Sequence, residues 1–211
     1  MNFDDQKQIF ERLYEGVDGP HISQVGRRSM TSESAKHLIY GEFSFDELAT
    51  IFERPEIRKD MRSSHVFCDL GSGTGRILVG MSLLYPYLSS FVGLELVKTL
   101  SDTAKRVRKD FYKIEKKAAN RIRLVNDNFF NVDFSQRSLD LDVVFMHYPM
   151  HDAEDLYLKL EDKMRAELKS GAIIVSGIRK LADTDSFPQI ANPYKIRCHY
   201  GYATMYYHKK I

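Results

Sequence analysis

The chain has 211 residues, 43% of them hydrophobic and 28% charged, proportions that suit one globular domain with a substantial core and exclude wholesale disorder. Its 31 Lys and Arg against 29 Asp and Glu leave +2, too mild to announce a nucleic-acid binder, so a polyanion partner has to be sought in local charge. No run approaches the roughly 18 apolar residues of a membrane span, and Met1-Asn2-Phe3-Asp4-Asp5 is acidic where a secretory signal is basic. Two distant cysteines, Cys68 and Cys198, give no disulfide framework, so an intracellular, cytoplasmic location is expected, or a nuclear one in a eukaryote.

In chain order, Phe3, Ile9, Phe10, Leu13 and Tyr14 predict a short amphipathic helix stopping near Gly16. His21 to Lys36 has neither period and reads as a loop or arm. Phe45 to Phe52 is helical again, with Ser44 placed to cap it. From His65 the pattern alternates. Strands are expected at 65–70, 90–95, 121–125, 141–146 and 172–176, and helices at 74–84, 96–119 and 152–168. Such alternation predicts an α/β fold with a mostly parallel, Rossmann-like sheet covered by helices on both faces. The end breaks the pattern, and residues 194–210, folded about Gly201, predict an antiparallel hairpin at the sheet edge. Residues 1–60 read as a helical extension with an entrance loop, and 61–211 as the α/β domain.

The first strand runs into Asp69-Leu70-Gly71-Ser72-Gly73-Thr74-Gly75 and then a helix. A glycine-rich strand-to-helix turn lets a ligand approach the backbone and offers it the amides of the helix start. A dinucleotide fingerprint wants glycine at the sixth position, where Arg76 stands, and no Gly-Lys-Ser/Thr follows for a phosphate loop. A Gly-x-Gly-x-Gly turn led by Asp69, with Glu95 ending strand two, suits S-adenosylmethionine. That molecule carries an ammonium for an acid to orient, a carboxylate for backbone amides and two ribose hydroxyls for a bidentate acceptor. At the tip of strand three, Asp127-Asn128-Phe129 would meet the adenine, the alternative being a polar turn with core phenylalanines.

Ile39-Tyr40-Gly41-Glu42-Phe43-Ser44-Phe45-Asp46, the Asp69–Gly75 turn and Val92-Gly93-Leu94-Glu95 resemble the disruptor-of-telomeric-silencing family of histone-lysine methyltransferases. The resemblance implies the seven-strand class I methyltransferase fold, not a SET domain. It places Tyr40 and Glu42 over the cofactor, Asp69, Gly71, Ser72, Gly73, Thr74 and Gly75 around its methionine part, Glu95 on the ribose, and Asn128 with Phe129 on the adenine. It also implies that Tyr206 or Tyr207 lines a lysine channel. Where the family carries Asn-Asn-Phe, this chain has His147-Tyr148-Pro149-Met150, and its adenine-side acid is Asn128, with Asp127 displaced by one. Leu160-Glu161-Asp162-Lys163 through Ser176-Gly177 also resembles lysine methyltransferases of the mitochondrial ATP-synthase c-subunit.

Methyl transfer to lysine needs a neutral amine, which costs about 4.6 kcal/mol at pH 7 for a pKa near 10.4. An aromatic channel beside a sulfonium lowers that cost by desolvation and like-charge repulsion, so Tyr148, Tyr206 and Tyr207 are expected around the acceptor, with His147 as a proton acceptor or a structural donor that also borders the cofactor. His147, His151 and Asp152 are not read as a metal site, because Pro149 breaks any helix through them. Between Lys105 and Arg123 nine basic residues face two acidic ones, a net +7 that leaves −5 elsewhere and offers an acidic partner a docking face. The expected activity is S-adenosylmethionine-dependent protein-lysine methylation by a monomer. A rival keeps the cofactor but methylates nucleic acid or a small molecule, with His147-Tyr148-Pro149 as a distant relative of the Asn/Asp-Pro-Pro-Tyr loop. Another is a cofactor-binding scaffold without turnover.

Overall fold

A computed structural model describes residues 1–31, 35, 38, 40–147, 153–198 and 201–211. Five short apolar runs form parallel strands: Val66–Leu70 (β1), Ser90–Leu94 (β2), Ile122–Val125 (β3), Val143–His147 (β4) and Ile173–Gly177 (β5). Gln189–Cys198 (β6) and Gly201–Lys209 (β7) add the antiparallel hairpin, giving the order β3-β2-β1-β4-β5-β7-β6. The strand order reverses between β1 and β4, and in such sheets the crevice for a ligand opens at the carboxyl ends there.

Among the described residues the helices are Phe3–Tyr14 (α1), Gly19–Arg27 (α2), Phe45–Phe52 (α3), Pro55–Ser63 (α4), Arg76–Leu84 (α5), Lys98–Ile114 (α6), Lys116–Asn120 (α7) and Glu154–Glu167 (α8). Side-chain alternation along the strands sorts the core in two. Phe67, Phe91, Phe145 and Tyr207 pack with Phe10, Leu48, Phe52, Leu78 and Phe111 on one face. Cys68, Leu70, Val92, Val144 and Ile174 pack with Tyr157, Leu160 and Met164 of α8 on the other. Each such buried side chain contributes on the order of 1.5–3 kcal/mol. Phe10, Tyr14, Phe43, Ile51 and Phe52 belong to the same cluster as the strands, so the boundary expected at residue 60 separates no second core. Both cysteines are buried thiols.

Four elements depart from the sequence reading. His21–Arg27 is helical, not loop: Asp18 caps α2 by accepting from the His21 amide at 3.0 Å, and Pro20 sits in its first turn. Its inner face is Gly19, Ser23 and Gly26, small residues that carry no hydrophobic period, and a Cβ at Gly26 would lie 2.1 Å from Thr99 Oγ1. The helix expected over 96–119 is broken at Glu115 (φ −137°, ψ 76°), because a straight helix of that length would run about 36 Å, and the break lets Ala118 and Ala119 turn onto the core. Pro55 at a helical first turn starts α4, which the sequence reading did not separate. The hairpin begins at Gln189 rather than near 194, with register shifts that accommodate Pro193 in the edge strand.

Candidate active site

The turn after β1 is shaped by three glycines in the left-handed region, Gly71 (φ +86°), Gly73 (+54°) and Gly75 (+77°), which is why α5 starts at Arg76 and not at Thr74. The Gly71 and Ser72 amides donate to the Leu94 carbonyl at 2.8 and 3.0 Å, stitching the turn to the end of β2. Glu95 completes the stitch: Oε2 accepts from the Gly73 amide and Oε1 from the Val97 amide, each at 2.7 Å. A carboxylate has about four acceptor sites, so Glu95 retains capacity for a diol. Burial raises its pKa, opposed by those amides.

Asp69 is 1% exposed, and its Oδ2 has no hydrogen-bond partner. Burial first and the Glu95 charge second push its pKa well above the ordinary carboxylate range. A buried acid without a partner, beside a second acid, is costly unless a cation neutralises it. An α-ammonium group is such a cation, while the amides of Gly71, Ser72, Gly73 and Gly75 are already engaged within the protein. The residues present thus fit an amino-acid nucleoside, with Asp69 on the ammonium and Glu95 on the ribose.

The entrance segment closes on the turn from above. The Tyr40 hydroxyl donates to Glu42 Oε1 at 2.8 Å and lies 2.9 Å from Thr74 Oγ1. Its ring fills the space over Gly73, where an added Cβ would come within 2.6 Å of it. Gly19, at the start of α2, packs equally closely on Tyr40 and Glu42.

At the tip of β3, Asp127 Oδ1 accepts from the Asn128 amide and from Asn131 Nδ2, and Asn128 Oδ1 accepts from the Phe130 amide, so both side chains build the turn. Phe129 is partly buried against Phe130, with centroids 4.7 Å apart. Asn126, which the sequence did not single out, donates to the Glu95 carbonyl at 2.7 Å and ties this tip to the end of β2.

His147 ends β4 with its ring edge-on to Phe43 at 4.7 Å, and it packs on Gly177, where a Cβ would meet Nδ1 at 2.2 Å. Tyr148, His151 and Asp152 lie outside the described residues. Tyr207 does not line a channel. It pairs with Val175 inside the sheet, is fully buried under α3, and donates to the Ile51 carbonyl at 3.1 Å, with burial pushing its pKa up to about 12. Tyr206 pairs with Ser176 and lies partly exposed on the opposite face of β7 from Tyr207. In register it shares a face with Met146, not with His147, so these two candidates do not meet on one side of the sheet. No cluster of metal-binding side chains occurs among the described residues.

A seven-strand sheet in this order, with an orphaned acid, a three-glycine turn and a buried glutamate at its switch point, defines a class I S-adenosylmethionine-dependent methyltransferase. The chain belongs to the histone methylation protein DOT1 family, whose profile matches residues 28–192. Solved structures agree on the fold. A candidate O-methyltransferase from Klebsiella pneumoniae superposes with a TM-score of 0.62 at 11% identity, covering 96% of this chain and 89% of its own. A candidate RNA methyltransferase from Pyrococcus horikoshii gives 0.58 at 15%, covering 83% and 90%. TrmK of M. capricolum, in complex with S-adenosylhomocysteine, gives 0.52 at 10%, covering 74% and 68%. None of the curated proteins matches the chain.

Proposed function

We propose that this methyltransferase acts on lysine side chains of protein, histones being the first substrates to test. The observation that carries this reading is the entrance segment: Tyr40, Gly41 and Glu42 lie within the family match, and Tyr40 is seated on the cofactor turn through Thr74. When bound, S-adenosylmethionine supplies an electrophilic methyl on a sulfonium. The chain's own residues bind and orient: Asp69 holds the ammonium, the 71–75 turn packs against the methionine part, Glu95 takes the ribose, and Asn128 with Phe129 the adenine, Asn128 through its second lone pair. Tyr40 and Phe43 exclude water from the approaching amine, which lowers the cost of its neutral form. His147, partly exposed at the carboxyl edge, is proposed to border the acceptor.

The test is transfer of labelled methyl to histones, bulk lysate protein and RNA side by side, followed by mass spectrometry of the labelled residue. Label on lysine supports the reading, and label on RNA alone overturns it. Cofactor binding with no label anywhere would favour a scaffold.

The basic stretch is proposed to dock an acidic partner. Lys105, Arg106, Lys109, Lys113, Lys116 and Lys117 are exposed on α6 and α7, with Lys105 paired to Asp102 and Lys113 to Asp110. Capture on heparin that weakens steeply with salt, and is lost in Lys109→Glu/Lys116→Glu, is the expected result. Sedimentation is expected to find a monomer. No helix among the described residues is long and apolar enough to cross a membrane.

A further inference from the structure

We infer that Arg76 is a positioning residue, a latch that holds the Tyr40–Glu42 segment closed over the cofactor turn and thereby sets how fast S-adenosylhomocysteine leaves. The inference rests on the cofactor assignment above. Arg76 stands at the first helical position after the turn, so its backbone is fixed by Gly75 and moves with the cradle. Its guanidinium lies over the Tyr14 ring at 4.4 Å and near Phe10 at 5.4 Å, so α1 fixes its direction. Tyr14 is itself anchored, its hydroxyl donating to the Thr74 carbonyl at 3.3 Å. From that seat Arg76 Nη2 reaches Glu42 Oε2 at 3.6 Å, while the other oxygen of the same carboxylate accepts from Tyr40.

The path runs from α1 through Arg76 and Glu42 to the ring that lies over Gly73. Both partners of the ion pair are mostly enclosed, 18% and 17% exposed, so solvent screens it less than a surface pair. Arg76 acts through Glu42, which the resemblance places over the cofactor, and is not itself assigned to the cofactor. Lysine at this position would keep the charge but lose the planar stack on Tyr14. The N-terminal helix thus becomes part of the cofactor gate.

The experiment is a double-mutant cycle on the full chain, with Arg76→Gln, Glu42→Gln and the pair, reading the release rate of S-adenosylhomocysteine by stopped flow and the ligand-free melting temperature. Each single change is expected to speed release about tenfold, equivalent to about 1.4 kcal/mol. The double variant should be no faster than either single, and Arg76→Lys should fall between. Additive effects, or a wild-type release rate in Arg76→Gln, would overturn the latch. Should Arg76→Gln fail to fold, Arg76→Lys decides: faster release supports the latch and an unchanged rate overturns it. A wild-type chain that takes up no S-adenosylhomocysteine would instead sink the cofactor assignment beneath it.

Discussion

Replacing Asp69 with Asn is expected to stabilise the ligand-free protein while crippling its cofactor site. The carboxyl is buried, its Oδ2 lacks a partner and Glu95 repels it, so its folded pKa lies above the unfolded value. A group shifted in that direction gives stability that is full below the unfolded pKa and is lost as pH rises through the folded pKa. At neutral pH the wild type carries that penalty and the amide does not. Each unit by which the folded pKa exceeds the unfolded one costs about 1.4 kcal/mol once the pH is above both, and about 1 kcal/mol moves the melting temperature of a chain this size by about 2–4 °C. Asp69→Asn should therefore melt a few degrees higher at pH 7, with the gain shrinking as pH falls. Loss of the charged contact to the ammonium, about 1.5–3 kcal/mol, should weaken S-adenosylmethionine binding roughly 10- to 150-fold. Wild-type affinity should fall as pH drops through the raised Asp69 pKa, and binding near that pH should release a proton, read as buffer-dependent calorimetric heat. A variant that melts lower yet binds as wild type would refute the reasoning.

Gly73→Ala combines left-handed strain of about 1–2 kcal/mol with a Cβ 2.6 Å from the Tyr40 ring, and should lower both stability and cofactor affinity. Gly171→Ala bears similar strain (φ +88°) in open space and should lower only the melting temperature, which differential scanning and titration calorimetry together will separate. Tyr207→Phe strips the Ile51 carbonyl of its donor inside the core, so thermal unfolding should record a loss of about 1–3 kcal/mol with cofactor affinity unchanged. In Gly26→Ala the new methyl collides with Thr99 and Val97, and hydrogen exchange should reveal loosened protection across α2 and the start of α6.

Features governed by neighbours in the chain could be read from the residues alone. The glycine turn was legible because a strand passing at once into a helix around a ligand needs residues without a Cβ, although Gly75 proves to end the turn where a helix was expected from residue 74, and β1 to β5 were legible because short apolar runs buried on both faces have few other forms. Asp69 and Glu95 follow from those strands, since each stands at or next to a strand end. The remaining features depend on contacts between distant segments. Tyr206 and Tyr207 look interchangeable in the chain, yet the pairing of β7 with β5 sends one into the core and the other to the opposite face, a choice set by register parity. Residues 21–27 gave no period because the buried face of α2 is made of small residues whose fit depends on Thr99 and Val97, over seventy positions away. Arg76 registered only as a failed glycine, because the groups that give it a task, Tyr14 and Glu42, are distant in sequence and meet it only when α1 and the entrance segment dock on the same turn.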